Sequence, residues 1–165
     1  MSDLYVECLV ARKPSTILTF FKVLLIMMTA VFVFLGLMFT PGLLVAIITG
    51  VAAYFTYMNA DVEYEYLYLD KEISVDKVMA KSKRKKMGSF SVEQMEIMAP
   101  VNSHRLDSYK NRQVKKTHDF SSGKASQPEK RYMLFFSGDT KVILEPNEAM
   151  IKAIQSVAPR KVFTD

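Results

Sequence analysis

Polar and apolar positions follow two different rhythms along this chain. Residues 23–60 form 38 consecutive positions without Asp, Glu, Lys, Arg or His. One bilayer crossing needs about 20 apolar residues, so this run is long enough for two. Its middle is broken by Thr40-Pro41-Gly42, a proline that cannot continue a helix ladder followed by a glycine free to turn the chain. The spacing predicts crossings at 17–39 and 43–58, within a helical hairpin over 16–60. Lys22 lies within two turns of the first helix start, where its stem can lie along lipid while the ammonium reaches the head groups. The second crossing is a turn short unless it extends to Ala60, and Tyr54 and Tyr57 suit an interfacial aromatic belt. A cleaved signal peptide does not fit, because the run is too long, lacks a small-x-small cleavage site and continues at once into a second crossing. No GxxxG spacing is present to define a helix-pairing motif.

Past Asp61 the period becomes two. Val62-Glu63-Tyr64-Glu65-Tyr66-Leu67-Tyr68-Leu69 alternates glutamate with large residues and reads as a half-buried strand. In this reading Glu63 and Glu65 are exposed acids on the outer face, and Tyr64, Tyr66 and Tyr68 belong to the core. Asp70-Lys71 is a tight turn into a returning strand, Glu72 to Val78. Lys81 to Lys86 then form a turn and the start of a third strand running through Phe90. Glu93 to Met98 read as one helical turn or a short strand. Residues 102–118 are polar and weakly periodic, a long loop or irregular strand, while Thr117 to Ser121 have a strand's capacity to pair. Residues 122–129 have the composition of a flexible loop. Arg131 to Phe136 and Lys141 to Leu144 make a hairpin around Ser137-Gly138-Asp139-Thr140. A last helix over 147–157 has Asn147 as its cap, Met150, Ile151, Ile154 and Val157 as its apolar face, and Pro159 as its stop. The domain organisation expected is therefore an N-terminal segment 1–15, the hairpin, and a β-rich domain 61–165.

Charge adds orientation. From Asp61 onward there are 19 basic and 15 acidic residues, about +4 of the net +5. Arg12, Lys13 and Lys22 precede the first crossing, the basic domain follows the second, and the connecting turn is uncharged. The positive-inside bias predicts a two-span protein of the cell membrane with both termini in the cytoplasm. The single cysteine, Cys8, excludes an internal disulfide, and reads as a small apolar residue or as a thiol near the membrane open to acylation.

Strands first and one closing amphipathic helix is the order of a pleckstrin-homology-like (PH-like) antiparallel β-barrel or sandwich. The fold class expected is thus an α+β membrane protein: transmembrane hairpin, PH-like domain, C-terminal capping helix. The paired strands from Tyr64 to Lys86, leading into a basic turn, resemble bacterial PH-like domains. The helix at Glu145-Pro146-Asn147-Glu148-Ala149-Met150-Ile151 is similar to their capping helix. Nearly the whole chain also resembles an uncharacterised family of small bacterial membrane proteins, through Tyr5-Val6-Glu7-Cys8-Leu9-Val10-Ala11-Arg12-Lys13, the hairpin, and Pro159-Arg160-Lys161-Val162-Phe163. The resemblance implies an interaction module for lipid head groups, peptides or proteins, and fold alone does not choose among them.

The candidate site is the basic cluster Lys81, Lys83, Arg84, Lys85 and Lys86. Clusters of four to eight basic residues beside a membrane anchor read as anionic-lipid binding, at about 1 kcal/mol per near-surface charge. The plainer reading is a solvated turn whose charges serve solubility. A looser second set comprises Arg105, Lys110, Arg112, Lys115 and Lys116. His104 and His118 lack partners at metal-ligand spacing, so neither a metal nor a cofactor is expected. There is no nucleophile elbow and no phosphate-cradling glycine loop, and the chain is not expected to be an enzyme. The partners expected are the lipid bilayer, anionic lipids and an unidentified protein, and not nucleic acid. The alternative is a structural subunit of a larger membrane complex with no ligand of its own.

Overall fold

A computed structural model of the protein describes residues 5–124 and 127–165, Lys110 without its side chain. Residues 1–4 of the predicted N-terminal segment, and Ala125 and Ser126 of the predicted loop 122–129, lie outside the described residues. The chain divides into two compact units. One comprises Lys13–Val62 with Val78–Lys83, and the other 5–12, Glu63–Lys77 and Arg84–Asp165.

The first unit is built on α1 (Thr16–Met38) and α2 (Thr40–Ala60), both long and apolar enough to cross a membrane. At 1.5 Å rise per residue they measure about 34 and about 32 Å, against a hydrocarbon core of about 30 Å. Three of their threonine hydroxyls are satisfied within the helix. Thr29, Thr49 and Thr56 donate to the carbonyls of Leu25, Val45 and Ala52 at 2.8, 2.9 and 2.8 Å. That pattern removes the polar cost of threonine in an apolar medium. The connection is tighter than the sequence suggests. Only Phe39, in an extended conformation, separates the helices, and Pro41 occupies the first turn of α2, where its missing N–H costs nothing. Gly42 is therefore helical and not a turn residue. Its lack of a Cβ serves close approach, because a Cβ there would stand 2.8 Å from the Gly36 nitrogen.

In the second unit, β1 (Val6–Ala11) pairs antiparallel with β2 (Val62–Leu69), with Ala11 opposite Glu63. The hairpin is thus inserted between two neighbouring strands, and part of the predicted N-terminal segment is an edge strand. The first sheet continues through β3 (Glu72–Met79) and β4 (Lys83–Ser91) in the order β1-β2-β3-β4. Asp70 and Lys71 turn β2 into β3 at φ 50 and 62°. A single 3₁₀ turn leads to β5 (Met95–Pro100), where the register shifts between Met95 and Ile97. The second sheet adds β6 (Lys116–Asp119), β7 (Tyr132–Phe136) and β8 (Thr140–Leu144) in the order β5-β7-β8-β6. The β6–β8 pairing is parallel, a departure from an all-antiparallel domain.

Tyr66, Tyr68, Ile73 and Val75 of the first sheet are fully buried, as are Met98, Leu134 and Leu144 of the second. The tyrosine row is core, as its alternation implies. All five residues of β7 are buried, because both of its faces are covered. The segment 102–118 contributes to that cover. It forms a 3₁₀ turn and the short α3 (Asp107–Lys110), and Leu106, Tyr109 and Val114 pack with Ile97, Ala99, Met133 and Phe135. Finally α4 (Glu148–Val157) starts at Asn147, whose Oδ1 accepts from the Met150 N–H at 2.8 Å, and buries Met150, Ala153 and Ile154. Val157 is instead 40% exposed.

Candidate functional site

The basic cluster begins in the β3–β4 turn. Met79 C=O accepts from Ser82 N–H at 3.1 Å across Ala80 and Lys81, which sit at φ 47 and 54°. Neither is a glycine, so the turn carries strain of order 1 kcal/mol per residue. A bond from Ala80 N–H to Asp61 C=O, 2.8 Å, holds it to the end of α2. Within the same unit Lys83 Nζ lies 5.6 Å from the centre of the Tyr54 ring, and Lys22 Nζ 4.6 Å from that of Tyr57. Tyr54 and Tyr57 are three apart on α2 and share a face. Each ring therefore holds an ammonium over its negative face.

The rest of the cluster belongs to the second unit and lies along β4. Strand alternation divides Lys83 and Lys85 from Arg84 and Lys86, so the run is two narrow rows and not one patch. Arg84 is committed: its guanidinium meets the Glu65 carboxylate at 2.9 Å. Glu65, expected to be an exposed acid, is only 6% exposed. Glu7 and Glu65 share a hydrogen bond, which raises the Glu65 carboxyl above its ordinary value, with burial adding to the rise. The same bond, with one from Tyr5, lowers Glu7. Arg84 opposes the rise at Glu65. Lys81, Lys85 and Lys86 have no acidic partner among the described residues.

Three members of the second basic set are paired, while Lys116 has no ion pair among the described residues. Arg112 bridges Glu96 and Asp139 at 2.6 and 3.0 Å, Lys115 reaches Asp139 at 3.4 Å, and Arg105 pairs with Asp165 at 3.1 Å. The side chain of Lys110 lies outside the described residues. His118 stacks on Phe120 at 5.6 Å between ring centroids, and His104 lies exposed in the 3₁₀ turn before α3. Cys8 is buried in β1, its Sγ 3.8 Å from the Glu145 carbonyl, and burial raises the thiol above its ordinary value. Sequence reasoning missed the Glu7–Glu65 pair, because β1 had no recognisable partner. The matching alternation of Glu7-Cys8-Leu9-Val10 was the available signal.

Two four-stranded sheets closed by a C-terminal helix, with the candidate groups on strand edges and turns, are the architecture of a PH-like domain. The chain belongs to the family described as Bacterial PH-like domain (DUF6106), whose model matches residues 2–164. No curated protein and no solved structure matches the chain significantly. PH-like domains serve in general as interaction modules.

Proposed function

We propose that this protein is a membrane-anchored interaction module whose PH-like domain works at the cytoplasmic face. In this reading α1 and α2 cross the bilayer as a hairpin, and Lys81, Lys85 and Lys86, the members of the cluster without a partner among the described residues, meet anionic head groups, while Lys83 rests over Tyr54 and Arg84 is held by Glu65. The observation that carries it is the β1–β2 pairing across the hairpin. Ladder partners lie about 5 Å apart, so the chain must leave and re-enter on one side of a bilayer. That requires an even number of crossings, which two helices of suitable length supply. Lys22 and Lys83, each over a tyrosine of α2, support a head-group level at the charged end of the hairpin. The positive-inside bias assigns that end to the cytoplasm.

Because β1 belongs to the first sheet, the test uses the full chain and not a fragment starting at residue 61. The protein is reconstituted in nanodiscs of neutral phosphatidylcholine, or of the same lipid with one third phosphatidylglycerol, and amide exchange is followed over 79–88. Exchange there slows with the anionic lipid, and the effect fades in 0.5 M salt as screening shortens to a few ångströms (about 4 Å). Replacing Lys81, Lys85 and Lys86 with glutamine abolishes the difference. Equal exchange in both lipids removes the lipid role. Protease cleavage of the β-rich domain from outside intact cells removes the orientation.

A further inference from the structure

Two lysines are held at one end of the hairpin by aromatic rings alone. Lys22 stands over Tyr57 and Lys83 over Tyr54, with 4.6 and 5.6 Å between each Nζ and its ring centre. At 1.5 Å rise per residue, Lys22 lies about 9 Å from the start of α1, and Tyr54 and Tyr57 lie about 9 and about 4.5 Å from the end of α2. In a membrane-spanning hairpin that is the level where acyl chains give way to head groups. Residues three apart on a helix have Cβ atoms about 5–6 Å from each other, so the two rings seat the two ammonium groups as neighbours.

Neither ammonium meets a carboxylate. The unit formed by Lys13–Val62 and Val78–Lys83 holds four lysines, Lys13, Lys22, Lys81 and Lys83, against one acid, Asp61. Among the described residues Asp61 forms no ion pair, and the hydroxyls of Tyr54 and Tyr57 have no hydrogen-bond partner. Both tyrosines are about half exposed, at 49 and 44%. A ring positions an ammonium without neutralising it. A positive charge at this depth is costly without a counter-charge, and two side by side repel. The arrangement is complementary to an anion. Lipid phosphate occupies this level, and its two non-bridging oxygens provide one acceptor for each lysine. The same face of α2 continues through Val51 and Ile47, three and seven residues before Tyr54 and both exposed, an apolar track for an acyl chain.

We propose that Lys22 and Lys83, seated on Tyr57 and Tyr54, form a discrete site for the phosphodiester of one anionic glycerophospholipid. Lysines already held on rings lose little further freedom when the phosphate arrives. A choline or ethanolamine head group would add a positive charge beside four lysines and a single acid, which selects against it. The site deepens the lipid reading and rests on α1 and α2 crossing the bilayer, but its side chains differ from the surface contact of Lys81, Lys85 and Lys86.

The full chain in neutral maltoside micelles is titrated with phosphatidylglycerol, or with phosphatidylcholine of the same acyl chains, and bound lipids are counted by native mass spectrometry. Phosphatidylglycerol gives one saturable adduct, and phosphatidylcholine binds about tenfold more weakly or less. Lys22→Gln with Lys83→Gln weakens the adduct by about tenfold or more, the loss of two near-surface charge contacts. Tyr54→Leu with Tyr57→Leu keeps both charges but frees them, and weakens it several-fold. This second variant decides the question should the first not fold. Replacing Lys81, Lys85 and Lys86 with glutamine leaves the adduct in place. If that replacement removes it instead, the surface contact stands and this site falls. Adducts that accumulate without a plateau at one lipid, or that ignore the lysine and tyrosine substitutions, also overturn the proposal. So does displacement of the lipid by inorganic phosphate, which assigns the lysines to a soluble anion. A full chain that stays in solution without detergent fails the hairpin reading itself.

Discussion

Three glycines in the hairpin give an internally controlled test of how tightly α1 and α2 pack. A Cβ on Gly36 would stand 2.8 Å from the Leu43 nitrogen, and one on Gly42 would stand 2.8 Å from the Gly36 nitrogen and 2.9 Å from its Cα. These are backbone atoms, so no side chain can swing aside to make room. Reaching an ordinary contact near 3.4 Å means parting the helix ends by about 0.6 Å. Over-packing of this kind costs roughly 1–3 kcal/mol. At Gly50 the nearest atom to a new Cβ is Thr29 Cγ2 at 3.6 Å, an ordinary contact. Alanine in place of a helical glycine returns about 0.8–1 kcal/mol in propensity. Gly50→Ala is therefore expected to stabilise the protein by up to about 1 kcal/mol. Gly36→Ala and Gly42→Ala lose up to about 2 kcal/mol once the propensity gain is subtracted. At roughly 2–4 °C per kcal/mol for a chain of this size, thermal unfolding in micelles followed by circular dichroism resolves the difference. Equal melting of Gly42→Ala and Gly50→Ala would refute the close approach, and with it the one-residue connection at Phe39.

Glu65 has a raised folded-state value, so its contribution to stability is complete below the ordinary carboxylate range and is lost as pH rises through the raised value; Glu7, lowered, loses its contribution as pH falls. Glu65→Gln keeps a donor toward Glu7 without a proton to lose, so melting across pH 4–9 should show it gaining on the native protein as pH rises, and a constant deficit would reject the raised Glu65 value. Tyr66 and Tyr68 are both buried, but Tyr66 Oη donates to the Phe120 carbonyl and accepts from the Glu145 N–H at 3.4 Å, while Tyr68 Oη has no partner among the described residues. Tyr66→Phe is expected to cost about 1–3 kcal/mol and Tyr68→Phe to be neutral or stabilising, so denaturant midpoints in the opposite order would contradict this account.

Elements whose pattern is self-contained were legible from residue order. The β2–β3 hairpin and the β7–β8 hairpin carry their apolar alternation and turn residues together, and α4 carries its own cap, face and stop. The candidate site was less legible. Five charges in six residues suggest one patch, but a strand separates neighbours onto opposite faces, and Arg84 is occupied by an acid nineteen positions earlier. Glu65 looked exposed because alternation assigns a face and says nothing of what covers it. The second basic set illustrates a related point: Glu96, Asp139 and Asp165, which pair with Arg105, Arg112 and Lys115, are brought to them by the tertiary fold and not by sequence proximity.

The strand that escaped sequence reading has the largest consequence. Val6 to Ala11 is short and only partly alternating, and its partner lies beyond 50 intervening residues, most of them apolar. No local rule selects such a pairing. It fixes the two ends of the hairpin on adjacent strands, with Ala11 opposite Glu63. The same placement makes β1 an edge. Its inner side completes the first sheet through six register pairs with β2, a contact that joins the N-terminal segment to residues more than 50 positions later.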